Sequence, residues 1–521
     1  MKSRPVIRNS KPAPRFKSAG LWAGLFVALA LCSALAIFFF HSRGWILYYG
    51  DAEAHLNTAR RIVDNTTPGY DQLGTVWLPL MHVMMLPLVG NDELWRSGLA
   101  GSIPSGICFL AAGLFLFATV RRVFRSDHAG LAAAAVFALN PNILYLQAIP
   151  MTEMSSYACL MAVLYFTVRY GETQGWGAAA GAGVAACLGT MARYEGWFLL
   201  PFAAAYFLVR AQRHRWTVTL LFCAIAGLGP LFWLFHHWWL TGDPLDFYRG
   251  PYSALAIQGN RPYPGKGDWA TSLLYVRTAI LRCAGPGLAV LALGGAVAAL
   301  AKRAFWPVAF LALPPIFYVW SMHSSGNPIF MPGMPYTYSF YNTRYGLSAF
   351  CLLAFCAGAL VAIPARRRGL CSGLVVLAST VYWLLHPAPP NWITWEESRV
   401  NSEGRRAWTR EAADYLTPRY VHGSGIITSF GDLTGIYREM GVPIRETFSE
   451  VNGLPWRAAV DRPELYLTQE WAVVMGGDAV QTAVNRANRQ GPCYTLEKTI
   501  IVKDAPVVEI YRRTGGCHGS S

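Results

Sequence analysis

Charge is what this chain has least of. Of its 521 residues only 14% are Asp, Glu, Lys or Arg, while 54% are hydrophobic; a soluble protein carries roughly a quarter charged residues. Most of the chain must therefore be dissolved in lipid. Acidic residues are the scarcer sign, 29 against 44 Lys and Arg, which leaves a formal net charge of +15. The basic residues form no continuous stripe, so the excess does not describe a nucleic-acid face, and no nucleic-acid partner is expected. They sit instead in short clusters between apolar runs, the pattern in which membrane topology is written. The chain also lacks a CxxC or Cys/His metal spacing, a Walker phosphate loop, a GxGxxG turn, an internal repeat and any low-complexity tract. Cysteine is present but scattered. Cys32, Cys108, Cys159, Cys187, Cys223, Cys351 and Cys356 lie inside apolar runs, where a thiol serves as a small buried hydrophobe.

What is abundant is apolar sequence in span-sized blocks. A membrane-crossing helix needs about twenty apolar residues. Candidate spans are 19–40, 97–120, 129–148, 152–170, 176–191, 197–209, 216–240, 283–301, 304–322, 345–364 and 369–386, about eleven in all. The fifth and sixth are short and are joined by Ala192-Arg193-Tyr194-Glu195-Gly196. The first follows a basic segment, 1–18, with no small-residue cleavage site after Ile37-Phe38-Phe39-Phe40, so it reads as a retained anchor. With the N-terminus inside, the clusters Arg121-Arg122-Val123-Phe124-Arg125, Arg169 to Gln174, Arg210 to Arg215, Lys302-Arg303 and Arg366-Arg367-Arg368 all fall on the cytoplasmic side. The other side receives loops 41–96, 149–151, 192–196, 241–282 and 323–344, and everything from Pro387.

Three divisions follow: a basic tail 1–18, a membrane domain 19–386, and an extracytoplasmic domain 387–521. Within loop 41–96, residues 51–64 place Leu56, Ala59 and Ile62/Val63 on one helical face, as for a helix lying along the membrane surface. Val76 to Gly90 is apolar but short and contains Pro79 and Pro87, which suits an interfacial or re-entrant element. Past Pro387 a polar, helix-compatible stretch 396–416, short apolar runs at 426–427 and 471–475, a helix-like stretch 478–490 and two β-rich runs at 494–502 and 507–512 predict a small α/β domain. The fold class expected is thus a polytopic α-helical membrane protein with an extracytoplasmic α/β C-terminal domain.

Few ionisable residues lie at the outer face, and each needs a reason to be there. Asp51 and Glu53 open the 51–64 helix. They fit a cap and a helix-dipole complement, or a catalytic pair, with His55 close by. Glu153 begins a span after the short turn Ile149-Pro150-Met151, either as a helix start or at the same site. Arg193 and Glu195 suit an internal ion pair or a substrate contact. Arg344, before Tyr345 at the end of an aromatic loop, could snorkel or bind a phosphate through its fork. Arg249, Arg261 and Lys266 give loop 241–282 the character of a phosphate-binding lid or of a solvated loop.

In this order the features resemble the GT-C superfamily of polyprenyl-phosphate-sugar-dependent glycosyltransferases, close to RgtA/B/C/D-like, aminoarabinose-transferase-like and protein-mannosyltransferase-like enzymes. The matching residues are Asp51-Ala52-Glu53, Thr152-Glu153, Arg193-Tyr194-Glu195-Gly196, Gly242-Asp243-Pro244-Leu245 with Phe247-Tyr248, and Arg344-Tyr345-Gly346. Many relatives have adjacent Asp-Glu; here Ala52 intervenes, which sets Glu53 further from the family pattern than Asp51. The resemblance implies an inverting transfer from a polyprenyl-phosphate-linked sugar to an extracytoplasmic acceptor, in a bacterial inner (plasma) membrane. Asp51 would act as general base, with Arg344 and a basic residue of loop 241–282 on the donor phosphate. No cofactor is demanded, and a divalent metal is left open. A lipid-linked-sugar transporter, a polysaccharide polymerase or ligase, and a non-catalytic scaffold are the alternatives. Finally, a hairpin of the last two β-rich runs about Lys503 to Pro506 would put residue 493 opposite about 515, bringing Cys493 and Cys517 within reach of a disulfide.

Overall fold

The computed structural model describes residues 19–251, 253–335, 339–364, 366–489 and 493–515. Every one of the eleven apolar blocks is helical, but they differ as spans. Among the described residues six helices are long and apolar enough to cross a membrane: Ala19–His41, Leu99–Phe124, Arg215–Thr241, Phe305–Ser324, Thr343–Val361 and Arg368–Leu385. Two further spans arise if bent pairs are each counted as one, which gives up to eight. The others fall short for physical reasons. Trp176–Ala192 and Glu195–Arg210 have 17 and 16 residues. The 21-residue helix Glu153–Thr173 is diluted by polar side chains, including Glu153, Ser155, Ser156 and Thr167.

Both bent pairs break at residues suited to the task. Gly285 takes φ +78, open to glycine without Cβ strain, and Pro286 then starts a new helix, so Trp269–Ala284 and Pro286–Ala301 meet at 109°. Asp127–Ala138 and Pro141–Gln147 meet at 70°, with the Asn140 side chain capping the second helix by accepting from the Asn142 and Ile143 amides. The two bends are tied together. Asn140 and Asn142 each donate a side-chain N–H to the Cys283 carbonyl, at 3.0 and 3.1 Å. Asn142 in turn accepts from the backbone and hydroxyl of Thr394. Polar side chains thus satisfy backbone groups that the broken helices leave open.

Close helix approach depends on small residues, as lipid supplies no hydrophobic drive to associate. Gly295 lies so near the Cys356 carbonyl that any side chain there would collide with it, and Gly346 is equally close to Ala279. The latter contact seats the start of Thr343–Val361, which carries Arg344, against the Trp269 helix.

After the membrane helices, the 24-residue helix Ile393–Leu416 leads into a five-stranded sheet of order β2-β1-β3-β5-β4. Its strands are β1 Ile426–Thr428, β2 Thr447–Phe448, β3 Trp471–Met475, β4 Tyr494–Ile500 and β5 Val508–Arg513. The first three are parallel, and β5 pairs antiparallel with both β3 and β4. Separate apolar clusters cover the sheet's faces, one around Trp408, Ile436 and Ile510, the other around Val474, Val484 and Tyr511. The final hairpin forms, but a register shift between Leu496 and Lys498 places Cys493 opposite Thr514 rather than 515. Cys493 is buried. Cys517, and with it the predicted bridge, lies outside the described residues.

The helix predicted over 51–64 spans Gly50–Val63, but it does not lie with a polar face in solvent. Arg60 and Arg61 are buried, Arg60 against Asp64 at 2.7 Å and Arg61 donating to the Gln72 carbonyl at 2.6 Å. Leu56 and Ala59 join an apolar cluster with Met81, Met85 and Trp95, and with Ile444 from the sheet-bearing region. The helix is enclosed because both of its faces have protein partners. Its lower neighbour, Leu80–Val89, is a ten-residue helix.

Candidate active site

Five of the ionisable residues picked from the sequence meet at one buried cluster, together with one that sequence reasoning missed. Asp51 is not a helix cap: Tyr49 occupies that position, and the Asp51 carboxylate turns away from the backbone to Arg344, 2.5 Å from its Nη2. Arg344 is buried, which excludes snorkelling. Its Nε contacts Glu153 Oε1 at 3.1 Å, and its Nη1 stands 3.6 Å from Glu397 Oε1. Arg193 shares Glu153 Oε1 at 3.1 Å and pairs with Glu195 at 2.9 Å, so the internal ion pair is real but is one limb of a larger network. Arg193 also donates to Thr152 Oγ1 at 2.8 Å and to the Tyr318 hydroxyl at 2.7 Å. Tyr345 packs its ring on Tyr318 at 4.3 Å and lies 5.5 and 5.7 Å from the two guanidinium carbons.

Glu397 is the missed member. It sits on the Ile393 helix and accepts from the Asn342 amide at 2.9 Å, the Thr343 amide at 2.7 Å and the Thr343 hydroxyl at 2.5 Å. It thereby satisfies the orphan amides that open the Thr343–Val361 segment and favours the positive end of that helix. Asn342 holds φ +53, a conformation that asparagine tolerates better than most residues. The signal available in sequence is that Glu397 follows Ile393 and Thr394 by four and three residues, on one helical face. Its charged neighbours disguise it.

Four carboxylates around two arginines leave the cluster formally anionic. Burying so much charge is costly, and buried ion pairs are weak contributors to stability. Such an arrangement is characteristic of sites that use charge. Burial alone would push the Asp51 carboxyl up, but Arg344, His55 and Arg193 outweigh it and hold the pKa below the ordinary aspartate value. At Glu397 burial wins, and its pKa is raised despite Arg344 and the three donors. His55, buried beside Asp51, is pushed down to about 4 by desolvation, so it is neutral at ordinary pH. It hydrogen-bonds His82 at 2.9 Å rather than Asp51. Two oxygens stand out. Asp51 engages Arg344 through Oδ2 and its side chain keeps 41% of its surface accessible, with Oδ1 unbonded among the described residues. Glu153 Oε2 is buried and also has no hydrogen-bond partner among the described residues.

The remaining candidates lie elsewhere. Glu53, two positions along the helix from Asp51, points the other way, to Arg405 at 3.3 Å and Arg438 at 3.1 Å. Arg249 is exposed and pairs with Asp243 at 2.6 Å. Arg261 is exposed, and Lys266 lies 5.9 Å from the Tyr263 ring. None of these three cations touches the cluster. Their loop is nonetheless anchored beside it, because Phe247 stacks on Tyr194 at 5.4 Å, within the Arg193-Tyr194-Glu195 turn. Beneath Glu195 and Ser156 a narrow crevice runs between helices, lined by Leu160, Leu199, Leu200 and Phe310. Among the described residues no group of three or more His, Cys, Asp or Glu side chains is arranged to hold a metal ion.

Residues 89–239 match the family described as dolichyl-phosphate-mannose-protein mannosyltransferase, a stretch that includes Glu153, Arg193 and Glu195. No curated protein matches. Among solved structures, that of ArnT from Cupriavidus metallidurans bound to undecaprenyl phosphate is similar at a TM-score of 0.55 and 12% identity, covering 97% of this chain and 100% of that one. The apo form of the same protein gives 0.49 at 13% identity, over 97% and 100% of the two chains. The apo oligosaccharyltransferase of Archaeoglobus fulgidus gives 0.48 at 14% identity, over 88% of this chain and 70% of that one.

Proposed function

We propose that this chain, an integral membrane protein of the GT-C superfamily, transfers a sugar from a polyprenyl-phosphate donor to an extracytoplasmic acceptor with inversion, Asp51 acting as general base. The observation that carries the reading is the half-open carboxylate. One Asp51 oxygen is held by a buried arginine, while the other is unbonded among the described residues and reachable. An acceptor hydroxyl bonded to that free oxygen would attack the anomeric carbon, and its proton would pass to Asp51 as the bond to the phosphate oxygen breaks. The leaving group departs as an anion and needs cations, not a general acid. Arg344 is the cation nearest the base, and Arg193 lies behind it across Glu153.

The ion network gives this arrangement its rigidity. Glu153 and Glu397 fix Arg344, Arg344 fixes Asp51, and the carboxylate is ionised before substrate arrives. The match of residues 89–239 and the fold shared with a protein bound to undecaprenyl phosphate support a lipid-linked donor. We assign its tail to the crevice below Glu195. At about 30 Å³ that crevice holds a water rather than an isoprene unit, so its helices must part for the donor to enter. The part of loop 241–282 that precedes the Trp269 helix would close over the site, with Arg249, Arg261 and Lys266 as phosphate partners after closure. The eleven-span topology, with the N-terminus cytoplasmic and residues 387–521 outside, belongs to the same proposal. The test is transfer in vitro from defined polyprenyl-phosphate sugars by the purified full-length protein. Transfer without nucleotide sugar supports the reading; donor movement across vesicles without transfer would favour a transporter.

A further inference from the structure

On the side of the Gly50–Val63 helix opposite Asp51, the structure holds a second cavity, polar and of about 340 Å³. Its walls are the exit of the first membrane helix, the short helix that ends at Ser97, the Ile393 helix and the Thr434–Met440 helix. Six arginines line it: Arg43, Arg96, Arg405, Arg406, Arg410 and Arg438. Carboxylates balance only two of them. Glu53 and Asp432 face Arg405, and Glu53 and Glu439 face Arg438. The other four have no carboxylate within ion-pair distance among the described residues. Arg406 stacks on Tyr48 at 4.0 Å and donates to its hydroxyl. Arg43 stacks on Phe39 at 3.7 Å, and Arg96 donates only to the carbonyls of Arg438 and Glu439. Arg410, one turn beyond Arg406 on the same helix face, makes no hydrogen bond to the described residues.

Arg405, Arg406 and Arg438 are half-buried around this open cavity and Arg43, Arg96 and Arg410 are exposed at its edge; like charges so gathered repel, and an anion shared among them relieves that cost. The ion cluster around Asp51 does not require this arrangement. The volume suits a headgroup-sized ligand, and guanidinium forks suit phosphate oxygens. Two features specify where the ligand comes from. The cavity opens where Ala19–His41 leaves its apolar run, beside His41 and Arg43. Phe38, Leu35 and Leu31, just before it on that helix, are exposed and so face lipid. We infer that this cavity binds the headgroup of an anionic phospholipid at the membrane surface, between the first span and the sheet-bearing region. Because Glu53 and Asp51 share one helix, the bound headgroup would brace the helix that carries the base.

The test is binding, independent of transfer. Full-length protein in a neutral detergent is titrated with short-chain phosphatidylglycerol or phosphatidylcholine and followed by native mass spectrometry, with inorganic phosphate as competitor. Phosphatidylglycerol should bind saturably, at least about tenfold more tightly than phosphatidylcholine, and less so as ionic strength rises. Arg406→Gln and Arg410→Gln should each weaken it about tenfold while leaving the fold intact. Inorganic phosphate binding as well as the lipid, with the same dependence on Arg410, would support the anion site and assign it a soluble ligand. Equal binding of both lipids with no competition by phosphate would overturn the inference, as would wild-type affinity in the double variant.

Discussion

Replacing Glu397 with Gln keeps the shape of a buried side chain and removes one acceptor oxygen and one charge. In the native site each carboxylate oxygen serves a different amide, Oε1 that of Asn342 and Oε2 that of Thr343, with the Thr343 hydroxyl also on Oε2. An amide group in its place can accept from only one of them, and its NH2 then confronts an N–H. A buried donor left without a partner costs about 1–3 kcal/mol. Losing the charge beside the buried Arg344 adds to this, so the total is about 2–5 kcal/mol. Thermal unfolding in detergent should therefore show a clearly lowered midpoint. The same change should alter catalysis in a particular sense. With one carboxylate fewer around Arg344, Asp51 is more strongly favoured as the anion, so the acid limb of the pH profile should move further down. An unchanged midpoint would refute the claim that Glu397 organises the start of the Thr343–Val361 segment. A limb moving upward would refute its coupling to Asp51.

Arg344→Lys should lower transfer by about ten- to a hundredfold, because one ammonium replaces a fork that reaches three carboxylates; donor titrations at saturating acceptor check it, and unchanged turnover would contradict it. The base must be ionised to act, and the Asp51 pKa lies below the usual carboxylate value. Transfer rate should therefore be flat through neutrality and fall only below the ordinary carboxylate range. His55, at about 4, adds no break near 6.5, and a limb there would contradict the assignment. Reporter fusions after Lys302 and after Pro390 should report opposite compartments; the same compartment for both would break the topology.

The membrane helices were legible because apolar runs punctuated by basic clusters are a one-dimensional signal. Their number was harder to read, since a block such as 283–301 becomes part of a bent pair only through Gly285 and Pro286, and the polar Glu153 helix owes its burial to neighbours. Residues Asp51, Glu153, Arg193, Glu195 and Arg344 could be nominated because charge at a membrane face is rare. Who pairs with whom is a long-range matter: Arg344 meets Asp51 across nearly three hundred residues. Glu53 misled because positions two apart on a helix face opposite ways, and only the tertiary structure says which way is the site. Glu397 was hidden by its neighbours Glu396 and Arg399, which pair with each other across one turn of the same helix.

The most direct test of the central claim is single-turnover transfer by Asp51→Asn, measured with the donor already bound. Asparagine keeps the shape and can still meet Arg344 through its carbonyl oxygen, but it cannot take a proton. The account predicts that folding and donor binding persist while transfer is lost; transfer at a near-native rate would contradict it.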